Sequence, residues 1–271
     1  YEHGEDVCVL SAIGAQCGKM FFPQEKFTAI KNTITLKPKK ELVDSIDDPD
    51  KPGEIWSLDR KTKRLLDKLH ADALLWDVGS TKGQLCKLIS SHPKRDQFLA
   101  AHPIAGTEFS GPQAAHRGLF KGKPQILCES TKTRLDLLLW AKQTFRQMGM
   151  YLRFMEAEAH DKHMAYVSHL SHISSFMLGK TVLEKEEDEN NIFDLAGSGF
   201  ESTVRLAKSS PSMWTPIFEQ NKENIIEILD AYIQNLENFK SLLANDDYEA
   251  LFQEMKNTNQ LTSILNGISK K

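Results

Sequence analysis

Ala73-Leu74-Leu75-Trp76-Asp77-Val78-Gly79-Ser80-Thr81-Lys82-Gly83 is an apolar run that ends in a turn of small polar residues. A short apolar run bounded in this way predicts a strand, and the small residues after it let a ligand approach the backbone. Similar β-rich runs lie on either side: Val7–Leu10, Ile34–Leu36, Phe98–Ala101, Gln125–Cys128 and Tyr151–Met155. Helix-like stretches, Arg60–Leu69 and Lys132–Met148, fall between them. Strands alternating with helices predict a parallel sheet covered on both faces, an α/β domain spanning residues 1–153.

The texture changes after Met155. Glu156–Lys180 holds good helix formers with no glycine before Gly179. Pro216–Leu243 places Ile217, Ile225, Ile228, Leu229, Tyr232, Leu236 and Phe239 near helical spacing. Asn245-Asp246 breaks the pattern, and Tyr248–Leu265 resumes it. Residues 154–271 therefore read as an all-helical domain whose apolar faces suit a second copy of the chain, a homodimer. Two segments, 44–54 and 184–191, read as solvated loops.

Composition narrows the function. The chain has 271 residues, 40% hydrophobic and 26% charged, the balance of a folded globular protein of about two domains. No apolar run approaches the roughly 18 residues of a membrane helix. No basic stretch leads into an apolar one near the start, so no signal peptide is expected. Cys8, Cys17, Cys86 and Cys128 form no C-x-x-C pair and read as reduced thiols of a cytoplasmic protein. The net charge of −3 conceals an asymmetry: residues 1–153 hold 24 Lys and Arg against 18 Asp and Glu, and residues 154–271 hold 10 against 19. Either a small anion favours the first half or the two solvated surfaces simply differ. The basic residues are scattered without interleaved aromatics, which argues against nucleic acid.

Four segments carry candidate chemistry. His102, in Ala101-His102-Pro103-Ile104-Ala105-Gly106-Thr107-Glu108, follows an apolar strand and belongs at its carboxyl end, where open α/β sheets bind ligands. A histidine there suits a general base, or simply caps the strand. The turn Gly79-Ser80 lies at the same edge. The run His160-Asp161-Lys162-His163-Met164-Ala165-Tyr166-Val167-Ser168-His169-Leu170-Ser171-His172 puts four histidines in one helical stretch, with His160 and His163 sharing a face, and His169 and His172 likewise. H-x-x-H alone is not a metal signature and H-E-x-x-H is absent, so no metal is expected. Imidazoles lining a cleft suit an anionic substrate. Arg205, in Ser198-Gly199-Phe200-Glu201-Ser202-Thr203-Val204-Arg205, suits a carboxylate if it is not a plain surface residue.

Together and in this order, the segments D-V-G-S-T-K-G (77–83), A-H-P-I-A-G-T-E-x-S-G (101–111), H-D-x-H-x-A-x-V-S-H-L-x-H (160–172) and G-F-x-S-T-x-R-L-A (199–207) resemble the prephenate dehydrogenase family. Ser209–Trp214 and Gln220–Asn224 extend the resemblance, which covers roughly residues 65–268. It implies a Rossmann-like dinucleotide-binding domain followed by an all-α dimerisation domain. The implied reaction is oxidative decarboxylation of prephenate to 4-hydroxyphenylpyruvate with hydride transfer to NAD or NADP. Arogenate dehydrogenase, or a non-catalytic dimeric module, are the alternatives. By resemblance His102 takes the ring-hydroxyl proton and Ser80 orients the hydroxyl or the imidazole. Arg205 anchors a carboxylate, His169, His172, Thr107 and Trp214 line the pocket, and Glu108 gates it. Gly14, Gly18, Gly79 and Ser80 take the cofactor positions. Aligning the last glycine of G-x-G-x-x-G on Gly18 sets Ile13 and Ala15 where the fingerprint has glycine. Lys37, Lys39 and Lys40 replace the acidic ribose ligand, as partners of a 2′-phosphate or as a solvated loop. The stretch before Asp77 is short by about a strand and a helix of the usual mononucleotide half, so an atypical or incomplete N-terminal segment is expected.

Overall fold

The computed structural model describes residues 7–10, 58–106, 117–189 and 192–268. Gly14, Gly18, Ile34–Leu36, Lys37, Lys39, Lys40, Thr107, Glu108 and the 44–54 segment lie outside them. Five strands form one sheet in chain order: β1 (Val7–Leu10), β2 (Leu74–Asp77), β3 (Phe98–Pro103), β4 (Pro124–Cys128) and β5 (Tyr151–Met155). β1, β2 and β3 run parallel, with Leu10 opposite Asp77 and Asp77 opposite Ala100. Their carboxyl ends therefore meet at one edge, the ligand edge of an open α/β sheet.

One pairing departs from the parallel expectation. β4 runs antiparallel to β3, with His102 opposite Ile126, and the Ile104 N–H donates to Pro124 O at 3.0 Å to prolong the ladder. β5 then returns parallel to β4, after the crossover helix α3 (Leu135–Gln147). The sheet is thus mixed, a common arrangement for α/β sheets.

Strand alternation sorts the core into two layers. Leu75, Phe98, Ala100, Ile126 and Cys128 face one side, under α1 (Leu58–Lys68), α2 (Gly83–Ile89) and the start of α4 (Ala157–Met164). Leu74, Trp76, Val78, Leu99, Ala101 and Leu127 face the other, under Leu137, Ala141 and Phe145 of α3. Trp76 is wholly buried, with ring centroids 5.5 Å from Trp140 and 5.3 Å from Phe145.

The helical half begins at α4 and continues through a π-helical turn at Ala165–His169 into α5 (Leu170–Glu189). The 184–191 stretch is therefore helix as far as Glu189 and not a loop. Glu and Lys are good helix formers, Lys180 pairs with Glu184 at 3.4 Å, and Glu186 Oε2 accepts from the Ile192 N–H at 2.6 Å. α6 (Ser198–Val204) and a tight turn at Arg205–Lys208 precede α7 (Pro211–Gln220). The single helix expected over 216–243 is two, because the chain breaks at Asn221 before α8 (Lys222–Ala244). Pro216 sits within α7, where it removes a backbone donor. α9 (Tyr248–Thr258) and α10 (Leu261–Ile268) complete the described chain. The compact units divide between Lys222 and Glu223, so α4 to α7 group with the sheet. No helix among the described residues is long and apolar enough to cross a membrane.

Replacing Trp76 by Ala empties the centre of the second core layer. Denaturant unfolding should show a loss of about 3–5 kcal/mol with little change in slope.

Candidate active site

His102 is placed by strand periodicity. Phe98 and Ala100 face the layer that receives Ala157 of α4, and His102 continues the same face one step further along β3. His160 stands one helical turn beyond Ala157, so the two imidazoles meet: His102 Nδ1 lies 2.9 Å from His160 Nε2. His102 is buried and His160 has no exposure at all.

Asp161 continues the chain of contacts. Its Oδ1 lies 2.8 Å from His160 Nδ1 and accepts from the Lys82 N–H at 2.7 Å, while Oδ2 accepts from the Gly83 N–H at 2.7 Å. The carboxylate thereby caps α2 from another helix, where the exposed N–H groups and the helix dipole favour negative charge. Gly83 is required for this approach, since a Cβ there would come within 3.0 Å of Asp161 Oδ2.

The loop is pinned from beneath by Lys82. Its side chain is fully buried, pairs with the Asp77 carboxylate and donates to Ala101 O at 3.0 Å. Asp77 Oδ1 accepts from the Gly79 N–H at 3.0 Å. Burial draws the Lys82 pKa down to about 8, so its ammonium still carries charge at neutral pH beside Asp77. Thr81 Oγ1 donates to Gln220 Oε1 at 2.5 Å, tying the loop to the end of α7.

A second cluster forms where the π-turn meets α7. The Leu170 N–H reaches back to Ala165 O, an extra-residue turn of the kind found at functional sites. His169 is completely buried there, and His172 is half-buried one turn on. The His172 ring stacks on Trp214 with centroids 3.6 Å apart, and His169 meets the same indole edge-on at 5.8 Å. His172 Nδ1 donates to Ser168 O at 2.9 Å. Among the described residues, the buried His169 Nε2 and Trp214 Nε1 have no hydrogen-bond partner. Buried polar atoms are normally satisfied, and these two orphans stand on rings that meet edge-on. Beyond Trp214 opens an apolar cavity of about 710 Å³ lined by Ile173, Phe176, Leu183, Thr215 and Phe218 among others.

Asn221 joins the clusters. Its Nδ2 donates to Asp161 O at 2.8 Å and lies 3.1 Å from His169 Nδ1. His102, His169, His172 and Trp214 are thus gathered around α4, the π-turn and α7, and Gly79 and Ser80 occupy the ligand edge after β2. His160 and His163 share one helical stripe as expected, about 60° apart, but the stripe straddles the surface: His160 is buried and His163 exposed. Arg205 is exposed at the head of its turn, which is held to α5 by Ser175: Oγ donates to Thr203 O and accepts from the Ala207 N–H, both at 3.1 Å. Asp161, Lys82, Asp77 and Asn221 carry no assigned role in the sequence reading, and His160 enters it only as one of the clustered histidines, although H-D at 160–161 and the lysine of D-V-G-S-T-K-G are visible signals. Among the described residues no three His, Cys, Asp or Glu converge as a metal site.

Burial dominates the electrostatics. It pushes the His102 pKa well below the usual 6.5, with His160, Lys82 and His169 adding unfavourable charge. It lowers His160 too, against the opposing Asp161 contact, and takes His169 down to about 4. All three imidazoles are neutral at physiological pH.

The site thus sets a neutral imidazole at the carboxyl edge of an α/β sheet, abutted by a histidine-lined helical layer. The sequence model for the prephenate dehydrogenase nucleotide-binding domain matches residues 58–153, and that for the prephenate dehydrogenase dimerization domain matches residues 156–257. A solved prephenate dehydrogenase from Aquifex aeolicus, in complex with hydroxyphenyl propionate and NAD+, is 33% identical with a TM-score of 0.69, over 76% of this chain and 72% of that one. The cyclohexadienyl dehydrogenase of Zymomonas mobilis is 28% identical over 69% of this chain and 64% of its own length. The prephenate dehydrogenase of Bacillus subtilis is 30% identical over 69% of this chain and 51% of its own length. This chain belongs to the prephenate dehydrogenase family. It spans between half and two thirds of the length of these curated relatives.

Neutral buried histidines make stability depend on pH in one direction. Below pH 6.5 the unfolded chain takes up protons that folded His102, His160 and His169 refuse, so stability falls as pH drops from about 6.5 toward 4. Thermal unfolding should give a nearly constant Tm between about pH 7 and 7.5, a falling Tm from pH 6.5 to 5, and a shallower fall in His169→Gln. A Tm constant over that range would contradict the neutral burial.

Proposed function

We propose that the protein oxidises and decarboxylates prephenate to 4-hydroxyphenylpyruvate, with NAD+ or NADP+ as hydride acceptor. The observation that carries this reading is His102: a neutral, buried imidazole at the ligand edge, held by His160 and Asp161, in a chain of this family. The cofactor fits the described edge, because Gly79 and Ser80 put little side chain between the backbone and the crevice where β1 and β2 end together. Gly79, Ser80, Gly14 and Gly18 are the positions that would hold it. When bound it supplies the hydride acceptor.

His102 removes the ring-hydroxyl proton as hydride leaves the same carbon, producing a carbonyl there. The bond from the ring to its carboxylate then breaks to release CO2, its electron pair completes the aromatic ring, and His102 returns the proton to the phenolate oxygen. Ser80 orients the hydroxyl. The two substrate carboxylates need cationic and polar contacts, which Arg205, His169, His172, Trp214 and Thr107 provide, with Glu108 gating entry. The orphaned Nε2 of His169 and Nε1 of Trp214 support this assignment.

The domain division at 153/154 is supported by the family boundaries at 153 and 156, although the compact units part further on because Asp161 and Asn221 bind α4 and α7 to the sheet domain. A homodimer is supported by the exposed apolar stripe of α8, where Ile226, Ile233, Leu236 and Leu243 are about half exposed. A cytoplasmic setting is supported by Cys86 and Cys128, both free and buried, with burial pushing their thiols up to about 11 and about 12.

Purified protein given prephenate or arogenate with NAD+ or NADP+ should form reduced nicotinamide with one of the four pairs. His102→Asn should lower kcat by at least about a thousandfold while circular dichroism and Tm stay close to wild type. No turnover with any pair, together with no cofactor binding tighter than millimolar, would favour the non-catalytic module. Light scattering should report a dimer, and Leu236→Asp with Leu243→Asp should shift it to monomer.

A further inference from the structure

The hydrogen-bond chain through Asp161 fixes more than the position of His102. Asp161 accepts two backbone N–H groups, so its carboxylate is the acceptor in this network and His160 Nδ1 must carry a proton to bond to it. His160, being neutral, then has a bare Nε2. His102 Nδ1, 2.9 Å away, must supply the proton for that contact, which leaves the lone pair of His102 on Nε2.

A parallel argument fixes His169 in the opposite sense. Asp161 O is a carbonyl and can only accept, so the group of Asn221 facing it is the amide NH2. The same nitrogen faces His169 Nδ1 at 3.1 Å, so Nδ1 accepts and Nε2 carries the hydrogen. That Nε2–H is the buried donor without a partner among the described residues, beside the indole N–H of Trp214 in the same condition.

We propose that Asp161 is a positioning residue that sets two histidines in complementary tautomers: through its carboxylate and His160 it leaves His102 an acceptor at Nε2, and through its carbonyl and Asn221 it leaves His169 a donor at Nε2. The tautomers follow from the hydrogen-bond geometry together with the neutrality that burial gives the imidazoles, and their use rests on the dehydrogenase reading. The acceptor takes a proton from a substrate hydroxyl, and the donor, with Trp214 Nε1–H, holds an oxygen of a substrate carboxylate or carbonyl. The arrangement shares its logic with an acid that orients a catalytic histidine, extended here by one imidazole and duplicated toward binding.

Long-range proton–nitrogen NMR on histidine-labelled protein without substrate reads the tautomers directly, with signals assigned by single His→Gln variants. At pH 7 the wild type should show His102 protonated on Nδ1 only and His169 on Nε2 only. Asn221→Ala should mix the tautomers of His169, raise KM by roughly tenfold and leave His102 and kcat within about twofold. His160→Phe should mix the tautomers of His102 and lower kcat by roughly 10- to 100-fold with KM little changed, and His160→Gln, whose carbonyl can still accept from Nδ1–H, should recover most of the loss. The proposal is overturned if wild-type His102 carries its proton on Nε2, if His169 carries it on Nδ1, or if His160→Phe and Asn221→Ala fold normally and leave the tautomers unmoved. Because the spectra need no substrate, failure of the dehydrogenase reading would appear as inactivity with the tautomers intact.

Discussion

The Asp161 carboxylate is the constraint on which the rest of the site depends. It comes from α4, the first helix after the sheet, and binds the N–H groups of Lys82 and Gly83 at the start of α2. Three elements thereby share one anion: the loop after β2, the helix it opens, and the helical layer that follows β5. The main-chain carbonyl of Asp161 adds α7 through Asn221. A negative charge at a helix N-terminus typically contributes about 0.3–1 kcal/mol, and up to about 2 kcal/mol where partly buried. Here the contact also decides where His160 stands, and His160 decides the orientation of His102. Gly83 is part of the same constraint, since the anion occupies the space a side chain would need.

Around this anion the site is dry and polar at once. Lys82 lies fully buried between Asp77 and Ala101 O, so its charge is compensated at a cost in desolvation that only good geometry offsets. The buried cation also disfavours protonation of His102. Burial and Lys82 thus keep the imidazole neutral, whereas Asp161 acts through His160 to orient it. A neutral, oriented imidazole is what proton abstraction from a hydroxyl requires, and the orphaned nitrogens of His169 and Trp214 support the proposed binding of an anionic substrate.

Much of the fold was legible because its signals are local. The apolar runs at 74–77, 98–103 and 124–128 alternate between two faces, and both faces are buried, so they stand out as strands. The antiparallel turn of β4 was not legible, because strand direction depends on the connection and not on the strand's own residues. The break at Asn221 was missed for a related reason: periodicity runs on across it, and only the tertiary contacts of its side chain show why the chain stops there. Of the candidate site, His102 is read from its place at a strand end and His169 and His172 from the histidine cluster, whereas Trp214 enters only through the family resemblance. Asp161 and Asn221 were passed over because an Asp on a helix and an Asn after one usually serve the surface. Their roles appear only when residues more than 50 apart in the chain are brought together. The splitting of His160 from His163 has the same origin, since a shared helical stripe is wide enough to be half in and half out.

On the proposed dehydrogenase reading, His102 acts as the base, held uncharged by burial and by Lys82 and oriented from Asp161. The pH dependence of kcat/KM with prephenate tests it most directly, because it reports ionisation in the free enzyme. Activity should persist on acidification past pH 6.5, with its acid limb lying well below that value. An acid limb at or above pH 6.5 would contradict the claim, as would an unchanged profile with undiminished kcat/KM in the His102→Asn variant.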